Sequence, residues 1–198
     1  MTFDLAFWPT IAFALVMFCW FAFAAVFLIQ KRPPSLPDKK RDRGSLIGVL
    51  LQGAGYAVVW AWRRRPFSPI LSLSETAEIV IVIVTALISF GSVLIVLAAV
   101  RVLGKEWSVT ARLVEGHKLV TIGPYSFVRH PIYTGMFGML LATGLAISYW
   151  MALVLGVLIF AIGTAIRVRS EERLLREAFG AQFENYTQRV PAVVPYLF

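Results

Sequence analysis

Most of the side chains able to do chemistry in this 198-residue chain fall in two short clusters. The first is Gly123-Pro124-Tyr125-Ser126-Phe127-Val128-Arg129-His130-Pro131-Ile132-Tyr133-Thr134-Gly135, and the second is Arg167-Val168-Arg169-Ser170-Glu171-Glu172-Arg173. In the first, Gly-Pro makes a tight turn and Pro131 suits the first position of a helix. His130 then lies at a helix N-terminus, where free backbone N–H groups and the helix dipole favour an anion, and Arg129 adds a full charge beside it. Gly135 and Gly138 leave room for close approach by a neighbouring helix or a ligand. In the second cluster Arg167 and Glu171 share one helix face at i, i+4, whereas Glu172 points about 100° away from Glu171. No phosphate loop, H-E-x-x-H, nucleophile elbow or post-strand G-x-G-x-x-G accompanies them. With His117 and His130 as the histidines and Cys19 the single cysteine, neither a metal site nor an intramolecular disulfide is expected. Arg, His, Tyr and Glu without metal or nucleophile suit a zwitterionic or mixed-charge organic cofactor. Each cluster also has an ordinary explanation. Arg129, His130, Tyr125 and Tyr133 read as interfacial anchors and aromatic-belt residues, and 167–173 as a solvated helix laced with i, i+4 pairs.

The elements that must hold these clusters are apolar helices. Hydrophobic residues make up 59% of the chain and charged residues 15%, where a soluble domain carries about 25% charged residues. The mean hydropathy is +0.75. Such a chain belongs in a bilayer. Charge is absent between Asp4 and Lys31, Arg43 and Arg63, Glu78 and Arg101, and His130 and Arg167. The last tract is about twice the length one helix needs at ~1.5 Å per residue across ~30 Å of hydrocarbon, and it breaks near Ser148-Tyr149-Trp150, so it reads as a helical hairpin. The expectation is an all-α integral membrane protein with about five spans, near 6–30, 46–62, 78–100, 132–148 and 150–167. These form a single folding unit, with residues 1–100 supplying about three spans and 101–198 the polar loop, the hairpin and the C-terminal helix. Gln52, Gly53 and Gly55 make the second span the weakest. Arg167 to Val190 is expected to continue the last span as a charged amphipathic cytoplasmic helix, with Leu174, Leu175, Phe179 and Phe183 at helical spacing and Pro191 and Pro195 as stops. As antiparallel neighbours, spans four and five bring Arg167 to the depth of Arg129 and His130.

The 19 Lys+Arg exceed the 11 Asp+Glu by 8. With the N-terminus outside, 16 of the 19 basic residues lie on the cytoplasmic side, following the positive-inside rule and contact with anionic lipid head groups. The basic excess therefore does not imply nucleic acid. The exception is Arg63-Arg64-Arg65, which either snorkels at the outer interface or marks a re-entrant second tract. Met1 to Leu5 lacks the basic start of a signal peptide, so the first tract reads as a retained span. The expected location is the inner membrane of a prokaryote, with the C-terminus and the site cytoplasmic.

Taken in order, the two clusters carry a more specific pattern. Gly123-Pro124-Tyr125, then Arg129-His130-Pro131-Ile132-Tyr133, an apolar hairpin and Glu171-Glu172 resemble the R-H-P-x-Y, hydrophobic, E-E signature of the isoprenylcysteine carboxyl methyltransferase family and its membrane relatives. The tail is similar too, in Glu172-Arg173-Leu174-Leu175, Phe179-Gly180, Tyr186 and Val190-Pro191. The resemblance runs from Leu103 to Pro195, and the short chain looks like a prokaryotic-type member. It implies an integral-membrane methyltransferase using S-adenosylmethionine, with S-adenosylhomocysteine as product, and a cofactor enclosed at the cytoplasmic interface. The implied acceptor is lipophilic and membrane-delivered, the carboxylate of a prenylated cysteine being the family's substrate class. On this resemblance the cofactor pocket falls on His117, Lys118, Leu119, Val120, Tyr125, His130, Pro131, Ile132, Tyr133 and Glu171, with Glu172 beside it. Arg167 becomes the acceptor-carboxylate arginine, with Arg129 also on the substrate side, and Arg167 and Glu171 are the residues expected to act in transfer. Two positions depart from the pattern. Thr110 stands where eukaryotic members place a Gln in the cofactor pocket, and a His-Thr-Leu-Val run becomes His117-Lys118-Leu119-Val120. Alternatives are a phospholipid or other amine N-methyltransferase of the same superfamily, with Glu171, Glu172 and His117 as candidate bases, then an NADPH-dependent reductase or a non-enzymatic membrane protein.

Overall fold

The computed structural model describes residues 7–29, 38–41, 44–65, 68–71, 74–104, 112–114 and 118–193. In chain order the elements are α1 (Phe7–Ile29), β1 (Asp38–Arg41), α2 (Gly44–Ala61), α3 (Glu75–Leu103), β2 (Arg112–Val114), a 3-10 turn (Gly123–Ser126), α4 (Pro131–Ile147), α5 (Trp150–Phe179) and α6 (Ala181–Thr187). Helices α1, α2, α3 and α5 are long and apolar enough to cross a membrane. Helix α4 has 17 residues, or about 25 Å at ~1.5 Å per residue, a little short of a full hydrocarbon core. The class is thus the all-α integral membrane one. The departure from helix among the described residues is a small antiparallel ribbon of β1 and β2, which no sequence signal announces. It ties the approach to α2 to the segment that follows α3.

Polar contacts show which helix ends lie together. The Trp8 indole donates to the Glu75 carboxylate at 3.2 Å, the Arg64 amide to Ile147 O at 2.9 Å and the Tyr149 amide to Trp62 O at 3.3 Å. One end of the bundle therefore gathers the starts of α1, α3 and α5 and the ends of α2 and α4. The opposite end receives both polar clusters. At the first end Arg64 corrects the sequence expectation. It is 8% exposed, and it donates to Ser148 O at 2.7 Å, Leu145 O at 2.8 Å and Ser68 O at 2.6 Å. The first two are carbonyls at the end of α4 that the helix leaves without partners, and the third belongs to the loop that follows α2. Burial brings its pKa down to about 10. Arg64 does not snorkel, and α2 is an unbroken helix rather than a re-entrant loop; Arg63 and Arg65 are exposed.

Glycine sets how closely the helices approach. A Cβ on Gly55 would meet Gly156 O at 2.7 Å, and one on Gly163 would meet Gly48 O at 2.8 Å. The pairs recur seven residues apart on α2 and α5, so these two backbones touch along a seam where any side chain would push them apart. Gly135 of α4 meets α3 in the same way, with a Cβ there 2.9 Å from Ser92 O. Around these seams Cys19, Phe23, Val96, Val100 and Met139 pack between α1, α3 and α4, and Val59, Leu140 and Phe160 between α2, α4 and α5.

The C-terminal helix also departs from expectation. Helix α5 runs unbroken through the Arg167–Arg173 cluster to Phe179, then stops at Gly180, whose φ of 49° and N–H bond to Arg176 O make it the helix terminator. The helical spacing of Leu174, Leu175, Phe179 and Phe183 hides this break, because Phe183 is buried from the separate helix α6.

Candidate functional site

Local structure at the site end starts with Gly123, whose φ of 61° opens the 3-10 turn that buries Tyr125. Pro131 then begins α4 and leaves His130 as its N-cap. The chain's own C-terminal segment lies over this corner. The Arg129 amide donates to Pro191 O and the His130 amide to Ala192 O, both at 2.8 Å, the Thr134 hydroxyl donates to Val193 O, and the Tyr186 hydroxyl donates to Tyr125 O at 2.5 Å. The Tyr133 and Thr134 amides turn back to His130 O at 3.0 and 3.2 Å. The amides of Arg129, His130, Tyr133 and Thr134 are thus used internally, which leaves most of the charge recognition at this end to side chains.

Those side chains form one network across α4 and α5. Arg129 Nε donates to Glu172 Oε1 at 2.8 Å, and Arg129 Nη1 donates to Thr187 O and Val190 O. His130 stands between two carboxylates, with Nδ1 3.3 Å from Glu171 Oε2 and Nε2 3.4 Å from Glu172 Oε1. The Tyr133 hydroxyl donates to Glu171 Oε1, and the His130 ring stacks on the Tyr133 ring at 5.6 Å. Arg167 Nη2 lies 3.7 Å from Glu171 Oε1, its guanidinium sits 4.6 Å over the Tyr133 ring, and its Nη1 donates to Gln52 Oε1 at 3.0 Å. The two sequence clusters therefore meet at one depth. Their carboxylates differ in access: the Glu171 side chain is 25% exposed and that of Glu172 8%. The oxygens of Glu172 are engaged by Arg129, His130 and Arg176, while Glu171 keeps an open side.

Burial pushes the His130 imidazole down, but hydrogen bonds and attraction from Glu171 and Glu172 outweigh it, and the pKa ends above its ordinary 6.5. Burial raises the Tyr125 hydroxyl, with Glu171 and Tyr186 adding to it. An imidazole clamped between two carboxylates beside a buried guanidinium makes this corner a site of fixed, ordered charge. It is well built to hold a charged organic group.

The remaining sequence candidates lie at the edge of this network or apart from it. Lys118 is exposed, while Leu119 and Val120 are half-buried in the irregular stretch before the 3-10 turn. Pro131 is buried at the head of α4. Ile132 turns the other way, against the core between α1, α3 and α4. His117 and Thr110 fall outside the described residues. The structure adds Gln52, 1% exposed, whose Nε2 donates to Thr164 Oγ1 at 2.8 Å, and the C-terminal segment over Arg129 and His130. An amide within an apolar span is itself a sign of function. In the sequence it reads only as a weakness of the second span.

Apolar helices that close over a buried Arg–His–Tyr–Glu network at one end define an integral membrane protein with a polar site at the membrane boundary. The phospholipid methyltransferase family model matches residues 80–182, more than half of the chain and the whole of both clusters. The chain belongs to that family. It is 31% identical over 117 residues to protein-S-isoprenylcysteine O-methyltransferase B of Arabidopsis thaliana, covering 55% of this chain and 59% of that protein. It is 36% identical over 116 residues to nickel-cobalt-cadmium resistance protein NccN of Alcaligenes xylosoxydans, covering 57% and 51%. It is 27% identical over 150 residues to methanethiol S-methyltransferase 1 of Bradyrhizobium diazoefficiens, covering 68% and 49%. The matches thus span about half the length of these curated relatives.

Proposed function

We propose that the protein is an S-adenosylmethionine-dependent methyltransferase acting on a lipophilic, membrane-delivered acceptor through an anionic group of the prenylcysteine carboxylate type. The observation that carries this reading is Arg167. It is a cation only 6% exposed, at the boundary of an apolar helix, held between Gln52, Glu171 and the Tyr133 ring. A guanidinium fixed in this way is a strong and directional partner for a carboxylate.

The side chains present also fit the cofactor. Its charged parts are a sulfonium and a zwitterionic amino-acid end, and Glu171 offers them a carboxylate with one open side, braced by His130 and Tyr133. When bound, S-adenosylmethionine supplies a methyl group activated by the neighbouring sulfonium. Glu171 then sets a negative potential against the donor's positive charge, Arg167 orients the acceptor oxygen, and Arg129 with Glu172 holds the C-terminal segment that keeps water from the corner. This is catalysis by positioning and preorganised charge. A carboxylate with an unperturbed pKa near ~4 is already ionised at neutral pH and needs no general base. An amine acceptor has to shed a proton to a base; although burial opposes it, hydrogen bonds from His130 and attraction from Arg167 and Arg129 hold the Glu171 and Glu172 carboxyls below their ordinary pKa, which makes them weak proton acceptors and supports the carboxylate reading over N-methylation. The concentration of basic residues in the loops at the site end supports a cytoplasmic site in a prokaryotic inner membrane with the N-terminus outside.

The test is methyl transfer by detergent-solubilised protein from S-adenosylmethionine to a prenylcysteine, a phosphatidylethanolamine and a small thiol. The prenylcysteine is expected to turn over, and Arg167→Ala to lower its kcat/KM by about 10- to 100-fold, equivalent to ~1.5–3 kcal/mol for a hydrogen bond to a charged group. Unchanged prenylcysteine methylation in Arg167→Ala removes the role given to Arg167, and turnover of the amine or thiol alone overturns the carboxylate assignment.

A further inference from the structure

Gln52 belongs to α2, outside residues 80–182 that match the family model, yet it reaches the centre of the network. It is 1% exposed. Its Oε1 accepts from Arg167 Nη1 at 3.0 Å and its Nε2 donates to Thr164 Oγ1 at 2.8 Å. The second bond fixes which end of the amide faces the arginine. One turn earlier on the same face, Gly48 gives Arg167 its room: a Cβ there would press on Arg167 Cγ and meet Arg167 N at 3.3 Å. Helix α2 thus presents a notch for the stem of Arg167 and a hook for its head.

We propose that Gln52 is a positioning residue that selects the side-chain conformation of Arg167 and, being neutral, does so without cancelling its charge. The inference rests on the reading of Arg167 as the acceptor's anchor and extends it to acceptor specificity. Glu171, 3.7 Å from the guanidinium, is shared with His130 and Tyr133, so this carboxylate only partly offsets the charge that Gln52 helps to aim. A carboxylate at position 52 would hold the arginine equally well but would compete with the acceptor for it. A methionine would fill the volume but leave a long, flexible side chain to find its own conformation, and pre-organisation would be lost.

The experiment compares wild type, Gln52→Met, Gln52→Glu and Thr164→Val in detergent, with S-adenosylhomocysteine affinity as the control for an intact fold. Gln52→Met is expected to raise the KM for a prenylcysteine about tenfold, the effect of losing one hydrogen bond to a charged group, with kcat changed less than about threefold. Gln52→Glu is expected to raise KM further, and Thr164→Val to raise it less than Gln52→Met. Wild-type KM in both Gln52 variants, while Arg167→Ala shows the expected fall in kcat/KM, overturns the positioning role and leaves the acceptor reading standing. Full turnover in Arg167→Ala locates the failure in the acceptor reading instead. Arginine-selective nitrogen NMR reads the same point without any acceptor. The hindered Arg167 guanidinium should give slowly exchanging Nη signals in wild type that are lost in Gln52→Met, and their persistence there overturns the proposal.

Discussion

Two glutamate–arginine pairs of nearly equal length offer a controlled comparison. Glu172 meets Arg129 at 2.8 Å and Glu184 meets Arg176 at 2.7 Å, but the side chains are 8% and 11% exposed in the first pair and 50% and 47% in the second. At 2.8 Å and an effective dielectric constant of about 20, the gross attraction in the buried pair is roughly 6 kcal/mol. Glu172→Gln keeps an acceptor and relieves the desolvation of a carboxylate, and Arg129 keeps the carbonyls of Thr187 and Val190. The net loss is therefore about 2–3 kcal/mol, below the ~3–5 kcal/mol of deleting one partner of a buried pair. For a chain of this size that lowers Tm by roughly 5–10 °C. Glu184→Gln breaks a solvent-screened pair worth about 0–1 kcal/mol and should shift Tm by less than about 3 °C. Thermal unfolding followed by intrinsic fluorescence in detergent at neutral pH measures both. Raising salt to ~1 M should narrow the Glu184→Gln effect and leave that of Glu172→Gln nearly intact. Equal shifts for the two variants, or a shift within about 1 °C for Glu172→Gln, would refute the argument from burial.

Two further predictions follow from groups at opposite ends of the bundle. Arg64→Met keeps an apolar stem but leaves three carbonyls without their donor, so a loss of about 2–4 kcal/mol in thermal unfolding is expected, with S-adenosylhomocysteine affinity unchanged. His130 sets a pH dependence whose sign follows from its raised folded pKa. The stabilisation is fully present below about pH 6.5 and is lost as pH rises through the folded value. Tm should therefore decline on the alkaline side of that range, and His130→Gln should flatten the decline.

The meeting of Arg129 and His130 with Arg167 and Glu171 is legible in the sequence because it needs only two local facts: a proline-started helix and a hairpin short enough to make its arms antiparallel. Tertiary partners are harder to read. Gln52 lies 115 residues from Arg167, and nothing local distinguishes an amide that will hook an arginine from one that merely weakens a span. The glycines at 48, 55, 156 and 163 are visible as small residues, but their pairing into one seam depends on α2 lying beside α5. Arg64 reads as a violation of topology until the carbonyls at the end of α4 are placed above it. The open helix start at Pro131 invites an anion only as long as the segment from Val190 to Val193 is not known to fold back over it. The prolines at 191 and 195 read as the stops of the last helix, whereas Gly180 ends α5 and the apolar spacing continues through it into the separate helix α6.

The central claim is that the network around Glu171 holds S-adenosylmethionine. Isothermal titration of S-adenosylhomocysteine into detergent-solubilised wild type and Glu171→Gln tests it most directly, with thermal unfolding to show that the variant is folded. Saturable binding at one site in wild type, weakened by about 10- to 100-fold in Glu171→Gln as a charged partner is lost, is the predicted result. No heat with wild type contradicts the claim, as does equal affinity in Glu171→Gln, and heat with NADPH in place of S-adenosylhomocysteine would assign the site to a reductase.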